Sequence, residues 1–173
     1  PLRYIDCGAY TGDTILSFRQ LGYRFKHVAA FEPDPTHYPS LARTLASEQA
    51  ALFPCGAWHE RAQLHFTTSD AASHISDTGN TTIQVVALDE ALPNFAPNFI
   101  KMDIEGAEAS ALLGAQAMIQ HHRPRLAISA YHRPRDMWEL LLQIHAWELG
   151  YSFYLRSHAC NGFDTVLYAL PEP

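Results

Sequence analysis

Apolar residues recur along this chain in two alternating ways, as short continuous runs and as stretches spaced three or four residues apart. Runs at 3–7, 27–31, 51–55, 98–102 and 126–130 read as buried strands, the fourth interrupted only by Lys101. After the first run, Ile15, Leu16, Phe18 and Leu21 give a helix one apolar face, and Gly22 is placed to end it. Tyr38, Leu41, Ala42 and Leu45 repeat that spacing, which predicts a helix near 36–47 with Pro39 close to its start. Segments 62–67 and 82–87 alternate as an antiparallel pair would, on either side of a Ser-, Asp-, Thr- and Asn-rich stretch, 69–80, that reads as a long loop. An alanine- and leucine-rich helix is expected over 106–120. A stripe of Met137, Leu140, Leu141, Ile144 and Trp147 marks another, ended by Gly150. Segments 151–155 and 165–170 close the chain as an antiparallel pair, and no internal repeat is present.

Strands that alternate with helices and finish antiparallel imply an α/β fold: a doubly wound, mostly parallel sheet with helices on both faces. Ligands of such sheets sit outside the carboxyl ends of the strands. Those ends carry Asp6, Glu32, Cys55-Gly56, Asp103 and Tyr131-His132.

The first strand end is the most specific. Asp6-Cys7-Gly8-Ala9-Tyr10-Thr11-Gly12-Asp13 is a turn with glycines four apart, and the next strand ends Phe31-Glu32-Pro33. Gly8 would let backbone approach a ligand, and Gly12 would let the following helix pack closely. A side chain at Gly8 is therefore expected to block the ligand and leave folding mostly intact. Glu32 is placed to accept hydrogen bonds from two ribose hydroxyls. A dinucleotide fingerprint would read G-x-G-x-x-G and offer bare amides to a pyrophosphate. Here an acid stands on each side of the turn, which suits a cationic amine or sulfonium, and S-adenosylmethionine carries both. A nicotinamide-dependent oxidoreductase is the poorer fit.

Composition agrees with one enzyme domain over residues 1–173. The chain is 47% hydrophobic, enough for a sizeable core. A formal charge of -6, with Lys26 and Lys101 the only lysines, argues against a nucleic-acid partner. No apolar run reaches membrane-spanning length. Cys7, Cys55 and Cys160 are odd in number and far apart, as reduced thiols of a cytoplasmic protein would be. The chain opens on Pro1, two residues before a core strand, and is expected to be trimmed from a longer protein. Oligomeric state is not legible.

A second cluster of acids, Asp103, Glu105 and Glu108, crowds the fourth strand end and the helix after it. Glu108 reads as a helix-end carboxylate, worth roughly 0.3–1 kcal/mol there. Asp103 opens onto the ligand crevice.

The segments D-C-G-A-Y-T-G-D, F-E-P, L-D-E and F-I-K-M-D-I-E-G-A-E together resemble the FkbM-type methyltransferases, and A-I-S-A-Y-H-R-P-R-D resembles one branch of them. The resemblance implies a seven-stranded class I fold that uses S-adenosylmethionine, with a hydroxyl oxygen of a sugar-like or other small metabolite as acceptor. Carried over, it places the cofactor on Asp6, Gly8, Ala9, Tyr10, Thr11, Gly12, Asp13, Glu32, Pro33, Gly56, Ala57 and Asp103. The third strand end, Cys55-Gly56-Ala57, has no acid for the adenine amine, so backbone or the 69–80 segment would meet it. An adenosyl-binding domain of this fold without turnover is the competing reading.

A hydroxyl acceptor needs a base within hydrogen-bond reach. His132 is the first candidate by type and Asp103 the second, although His132 equally reads as a histidine hydrogen-bonded at a strand end. Asp103, His132 and His158 could converge on a divalent ion, but an unliganded set is preferred. Tyr10, Trp58 and Tyr131 are placed to wall the crevice, whereas Trp138 and Trp147 read as core packing. Arg133, Arg135, Asp136 and Arg156 could bind an anionic or sugar-like acceptor, but ordinary surface charge is the preferred reading.

Overall fold

The computed structural model describes residues 1–67, 74–75 and 81–172. Seven strands form the main sheet: β1 (Leu2–Cys7), β2 (Phe25–Phe31), β3 (Ala50–Phe53), β8 (Phe99–Met102), β9 (Arg125–Ser129), β10 (Tyr151–Ser157) and β11 (Thr165–Pro171). Their order is β10-β11-β9-β8-β1-β2-β3, and β11 alone runs antiparallel to its neighbours. The chain thus builds outward from β1 through β2 to β3, then crosses back to β8 on the other side. That reversal puts the switch point at the carboxyl ends of β1 and β8.

Strand alternation divides the core in two. Tyr4, Val28 and Ala30 point to one face, where α1 (Asp13–Gln20) and α2 (Tyr38–Leu45) contribute Ile15, Leu41 and Leu45. Ile5, Cys7, Ala29, Phe31, Ile100 and Met102 point to the other. That face is covered by α3 (Leu88–Ala91), α4 (Glu108–Leu113), α5 (Gln116–His122) and α6 (Asp136–His145) through Leu88, Leu112, Ile119, Leu140 and Ile144. Both faces being covered explains why the strands read as largely apolar runs without alternation.

The third predicted strand, 51–55, stops short of its expected end, and a further strand follows it. β3 ends at Phe53, and β4 (Gly56–Ala57) joins a separate sheet of order β4-β7-β5-β6 with β5 (Ala62–Thr67), β6 (His74–Ile75) and β7 (Thr81–Val86). A Cβ at Gly56 would meet Val85 Cγ1 at 3.2 Å, so the small residue permits this close pairing. β5 and β7 pair antiparallel as expected. The expected loop at 69–80 lies outside the described residues apart from β6.

The single helix expected over 106–120 is two. The break falls at Gly114, where a Cβ would lie 1.9 Å from the Trp58 carbonyl oxygen and 3.1 Å from Ala87 Cα. Asp89 stabilises the restart, its carboxylate accepting the Ala117 and Met118 amides at 2.9 and 2.8 Å. Trp147 packs against the core, but Trp138 is 54% exposed. The buried line of α6 is Asp136, Leu140 and Ile144, and Trp138 falls outside it. In α1 the exposed Leu16, with the exposed Leu21 just past the helix end, leaves the core to Ile15 and Phe18.

Candidate functional site

The turn after β1 is tied down on all sides. Gly8 and Ala9 both donate their amides to the Phe31 carbonyl at the end of β2 (3.0 and 3.1 Å). Gly8 has φ of 75°, and a Cβ there would lie 2.0 Å from the backbone oxygen of Asp103. The close approach at Gly8 is therefore to the neighbouring strand end. A side chain there would displace backbone and could not leave the fold intact, contrary to the expectation from sequence. Gly12, at φ 86°, faces the side chain of Thr44 on α2, and Thr44 Oγ1 donates to the Thr11 carbonyl at 2.9 Å. The helix brought close at Gly12 is α2.

Glu32 closes the turn from the second strand. Its Oε2 accepts the Tyr10 amide at 2.8 Å and its Oε1 the Asp34 amide at 2.9 Å, with His37 Nδ1 3.4 Å from Oε1. Tyr10 is held in the left-handed region at φ 50°, half exposed, with its ring edge-on to His37 at 4.3 Å. Each Glu32 oxygen keeps a second lone pair.

The two acids of the turn have different surroundings. Asp13 is exposed, whereas Asp6 is fully buried and pairs with Lys101, its partner in the β1–β8 register, at 3.2 Å. Lys101 Nζ also donates to the Gly8 carbonyl at 2.9 Å, so the buried pair holds the turn from beneath. Burial raises the Asp6 carboxyl and the ammonium opposes that rise. For Lys101, burial works to lower its pKa, but the Asp6 and Asp103 carboxylates raise it on balance. The picture of two carboxylates facing a ligand is thereby corrected: only Asp13 presents open charge, and Asp6 acts through the turn.

At the β8 end, Asp103 donates its amide to the Cys7 carbonyl at 3.0 Å, which places it beside Gly8. Glu105 and Gly106, with φ of 55° and 90°, turn the chain into α4. Glu108, at the start of α4, is wholly buried. Its Oε1 accepts the Ile104 amide at 2.8 Å and lies 2.9 Å from His132 Nδ1. Sequence reasoning read Glu108 as a helix-end charge and missed this pairing. The His132 side chain is 6% exposed, with Nε2 3.5 Å from both Asp103 Oδ1 and Glu105 Oε2. Burial works to lower the imidazole pKa, but the Glu108 hydrogen bond and charge, then Glu105 and Asp103, raise it overall. Tyr131 donates its hydroxyl to Asp103 Oδ1 at 3.3 Å, and burial with the Asp103 charge pushes its phenol well above the ordinary value.

Asp103, Glu108 and His132 each offer a ligand atom within 4.8 Å of the others. His158, the other expected member, instead lies 2.8 Å from the Tyr168 hydroxyl through Nε2. Asp136 is buried and accepts the Arg133 amide at 3.1 Å, so it is not surface charge. Lys101 and Glu108 are the site residues that sequence reasoning passed over. A lysine inside an apolar strand was the one available signal for the first. A separate hollow of about 340 Å³, lined by Ile144, Leu149, Tyr151 and Phe153 among others, opens at the amino end of β10, away from the strand ends just described.

Seven strands in this order, with β11 reversed and a glycine turn at the switch point, define a class I methyltransferase. The chain belongs to the FkbM-type family of these enzymes, since the methyltransferase FkbM domain matches residues 6–153. Its structure is similar to that of methyltransferase FkbM from Methylobacillus flagellatus KT, with a TM-score of 0.81 at 32% identity. The match covers 97% of this chain and 43% of that one, so the chain spans less than half that relative's length. An rRNA methylase from Streptococcus thermophilus shares the fold at TM-score 0.60 and 16% identity, over 98% of this chain and 86% of that one. So does a putative tRNA (m1A22) methyltransferase from Streptococcus pneumoniae in complex with S-adenosyl-L-methionine, at 0.58 and 13%, over 99% and 68%. No curated protein matches the sequence. The fold class and family expected from sequence are both borne out. Among the described residues, no helix is long and apolar enough to cross a membrane.

Proposed function

We propose that this domain binds S-adenosylmethionine at the β1–β2 mouth and directs methylation to a hydroxyl oxygen of a small acceptor. The observation that carries the reading is His132: its ring is held by Glu108, and Nε2, without a hydrogen-bond partner, faces the Asp103 carboxylate at the strand-end mouth.

The residues fit the donor. Glu32 retains lone pairs for the two ribose hydroxyls, Tyr10 borders the same mouth through its amide on Glu32, and Pro33 follows Glu32 directly in the chain. The turn from Gly8 through Ala9 and Thr11 to Gly12 shapes the floor of the mouth, its backbone held by Phe31, Lys101 and Thr44, with Asp13 as the open negative charge near the amine end. Gly56 and Ala57 supply backbone near adenine, and Asp103 lies between donor and acceptor. When bound, S-adenosylmethionine supplies a methyl carbon on a sulfonium. The protein's share is positioning and activation. His132 and Asp103 meet the acceptor hydroxyl and draw off its proton, with Glu108 orienting the imidazole.

A small acceptor is favoured over a nucleic acid because Asp103 and Glu105 stand at the mouth of a chain whose formal charge is -6. A phosphate backbone would be repelled there. All three cysteines are free, which suits a reducing cytoplasm. Calorimetric titration with S-adenosylmethionine, S-adenosylhomocysteine and NAD tests the donor, and radiolabelled methyl transfer to hydroxylated metabolites and to rRNA or tRNA tests the acceptor. Saturable binding of the adenosyl ligands with label on a small molecule is expected. Binding of NAD alone, or label on RNA alone, overturns the proposal. Adenosyl binding with no transfer to any acceptor favours a domain that binds without turnover.

A further inference from the structure

The two ring nitrogens of His132 have different surroundings. Nδ1 is 2.9 Å from Glu108 Oε1, a normal charge-assisted hydrogen bond that fixes the tautomer with the proton on that side. Nε2 faces oxygens of Asp103 and Glu105, each at 3.5 Å. A charge-assisted hydrogen bond to carboxylate would be about 2.7–2.9 Å, so 3.5 Å is too long for a shared proton. Two carboxylates so placed call for positive charge between them and Nε2, which a proton or a bound cation supplies. The same 3.5 Å is close to the separation of two ligands around one ion at bond lengths of roughly 2.1 Å, which is about 3.4 Å for a tetrahedral angle. The His132 side chain is more than nine-tenths buried, and its Nε2 is among the buried atoms without a hydrogen-bond partner.

We propose that Asp103 and His132 Nε2 ligate a divalent first-row cation, with Glu108 as the outer carboxylate that orients the imidazole and Glu105 adding negative charge at the same mouth. A carboxylate bound to the far nitrogen of a metal-ligating histidine is the usual arrangement of such sites. A mixed imidazole and carboxylate donor set suits manganese or zinc better than magnesium or calcium. The inference reverses the sequence expectation of an unliganded set. It replaces His158 with Glu108 as the third member. Its catalytic role rests on the functional reading above: a hydroxyl oxygen coordinated to the cation loses its proton more readily, to Asp103 or to water at the mouth. Under that role His132 is a ligand, and activation comes from the cation.

The probe is Mn²⁺ alone, titrated into chelator-treated protein and followed by loss of the free-ion electron paramagnetic resonance signal. One saturable site is expected. D103N and H132Q should abolish it, and E108Q should weaken it by about 10–100-fold. Circular dichroism and melting of each variant show that it is folded. Should H132Q fail to fold, D103N decides, since Asp103 is only part-buried. No saturable Mn²⁺ binding with or without S-adenosylmethionine, or binding unchanged in folded D103N, overturns the inference. Calorimetry with S-adenosylmethionine on the same chelated protein separates the two ideas. Donor binding and methyl transfer that ignore chelator leave the functional reading standing and end the metal one, whereas Mn²⁺ binding without donor binding does the opposite.

Discussion

Replacing Lys101 with methionine should be among the most damaging single changes in this chain. Methionine keeps the length and apolar stem of the side chain, so the lost element is the charge. Asp6 is wholly buried, and its charge is met by an ammonium 3.2 Å away. At an effective dielectric near 20 the attraction over that distance is about 5 kcal/mol. Removing one member of a buried pair typically costs about 3–5 kcal/mol, because the other charge is left without compensation. Against a total stability of roughly 5–15 kcal/mol, K101M should remain folded only marginally. The assay is urea unfolding of K101M, D6N and the double variant at neutral pH. The double variant should recover part of the loss, because it no longer buries a lone charge. A K101M cost below about 1 kcal/mol, or losses that simply add in the double variant, would refute the argument.

The pH dependence provides a second reading of the same variant. Burial already raises the Asp6 carboxyl, and removing the opposing ammonium raises it further. The native state then retains a proton that the unfolded chain, with a pKa near 3.9, has released. Where the native state binds more protons, stability increases as pH falls. The K101M deficit should therefore shrink from pH 8 to pH 5, and a deficit that grows toward acid would contradict the pairing.

Three further outcomes are expected. E32A removes the acceptor for any ribose hydroxyl as well as for the Tyr10 and Asp34 amides; at roughly 1.5–3 kcal/mol per bond to a charged acceptor, S-adenosylmethionine affinity by calorimetry should fall at least about tenfold. G8A combines a φ of 75° with a Cβ 2.0 Å from the Asp103 carbonyl oxygen, so strain and overpacking together should cost about 2–5 kcal/mol, visible as a lowered melting temperature. W138A should change stability by no more than about 0.5 kcal/mol in the same melt, since the ring is more than half exposed and outside the buried line of α6.

Much of the architecture was legible because its signals are local. The largely apolar runs at β1, β2, β8 and β9 report strands buried on both faces, and the spacing around Leu41 and Leu140 reports helices. The glycine turn between Asp6 and Asp13, the acid after β2 and the acidic cluster after β8 marked the strand ends where the site lies. Locality also set the limit of that reading. Gly114 looks like a tolerable residue within a helix until Trp58, far away in sequence, passes 1.9 Å from where its Cβ would be. Lys101 and Gly8 are 93 residues apart and meet only because β8 pairs beside β1 in one register. Glu108 and His132 begin and end different βα units, and the packing of α4 beside the β9 end turns a helix-end carboxylate into the partner of an imidazole. Residue spacing encodes which element forms, whereas partners of buried charge depend on strand register and on how closely one element approaches the next, and those arise from the packing of the whole chain.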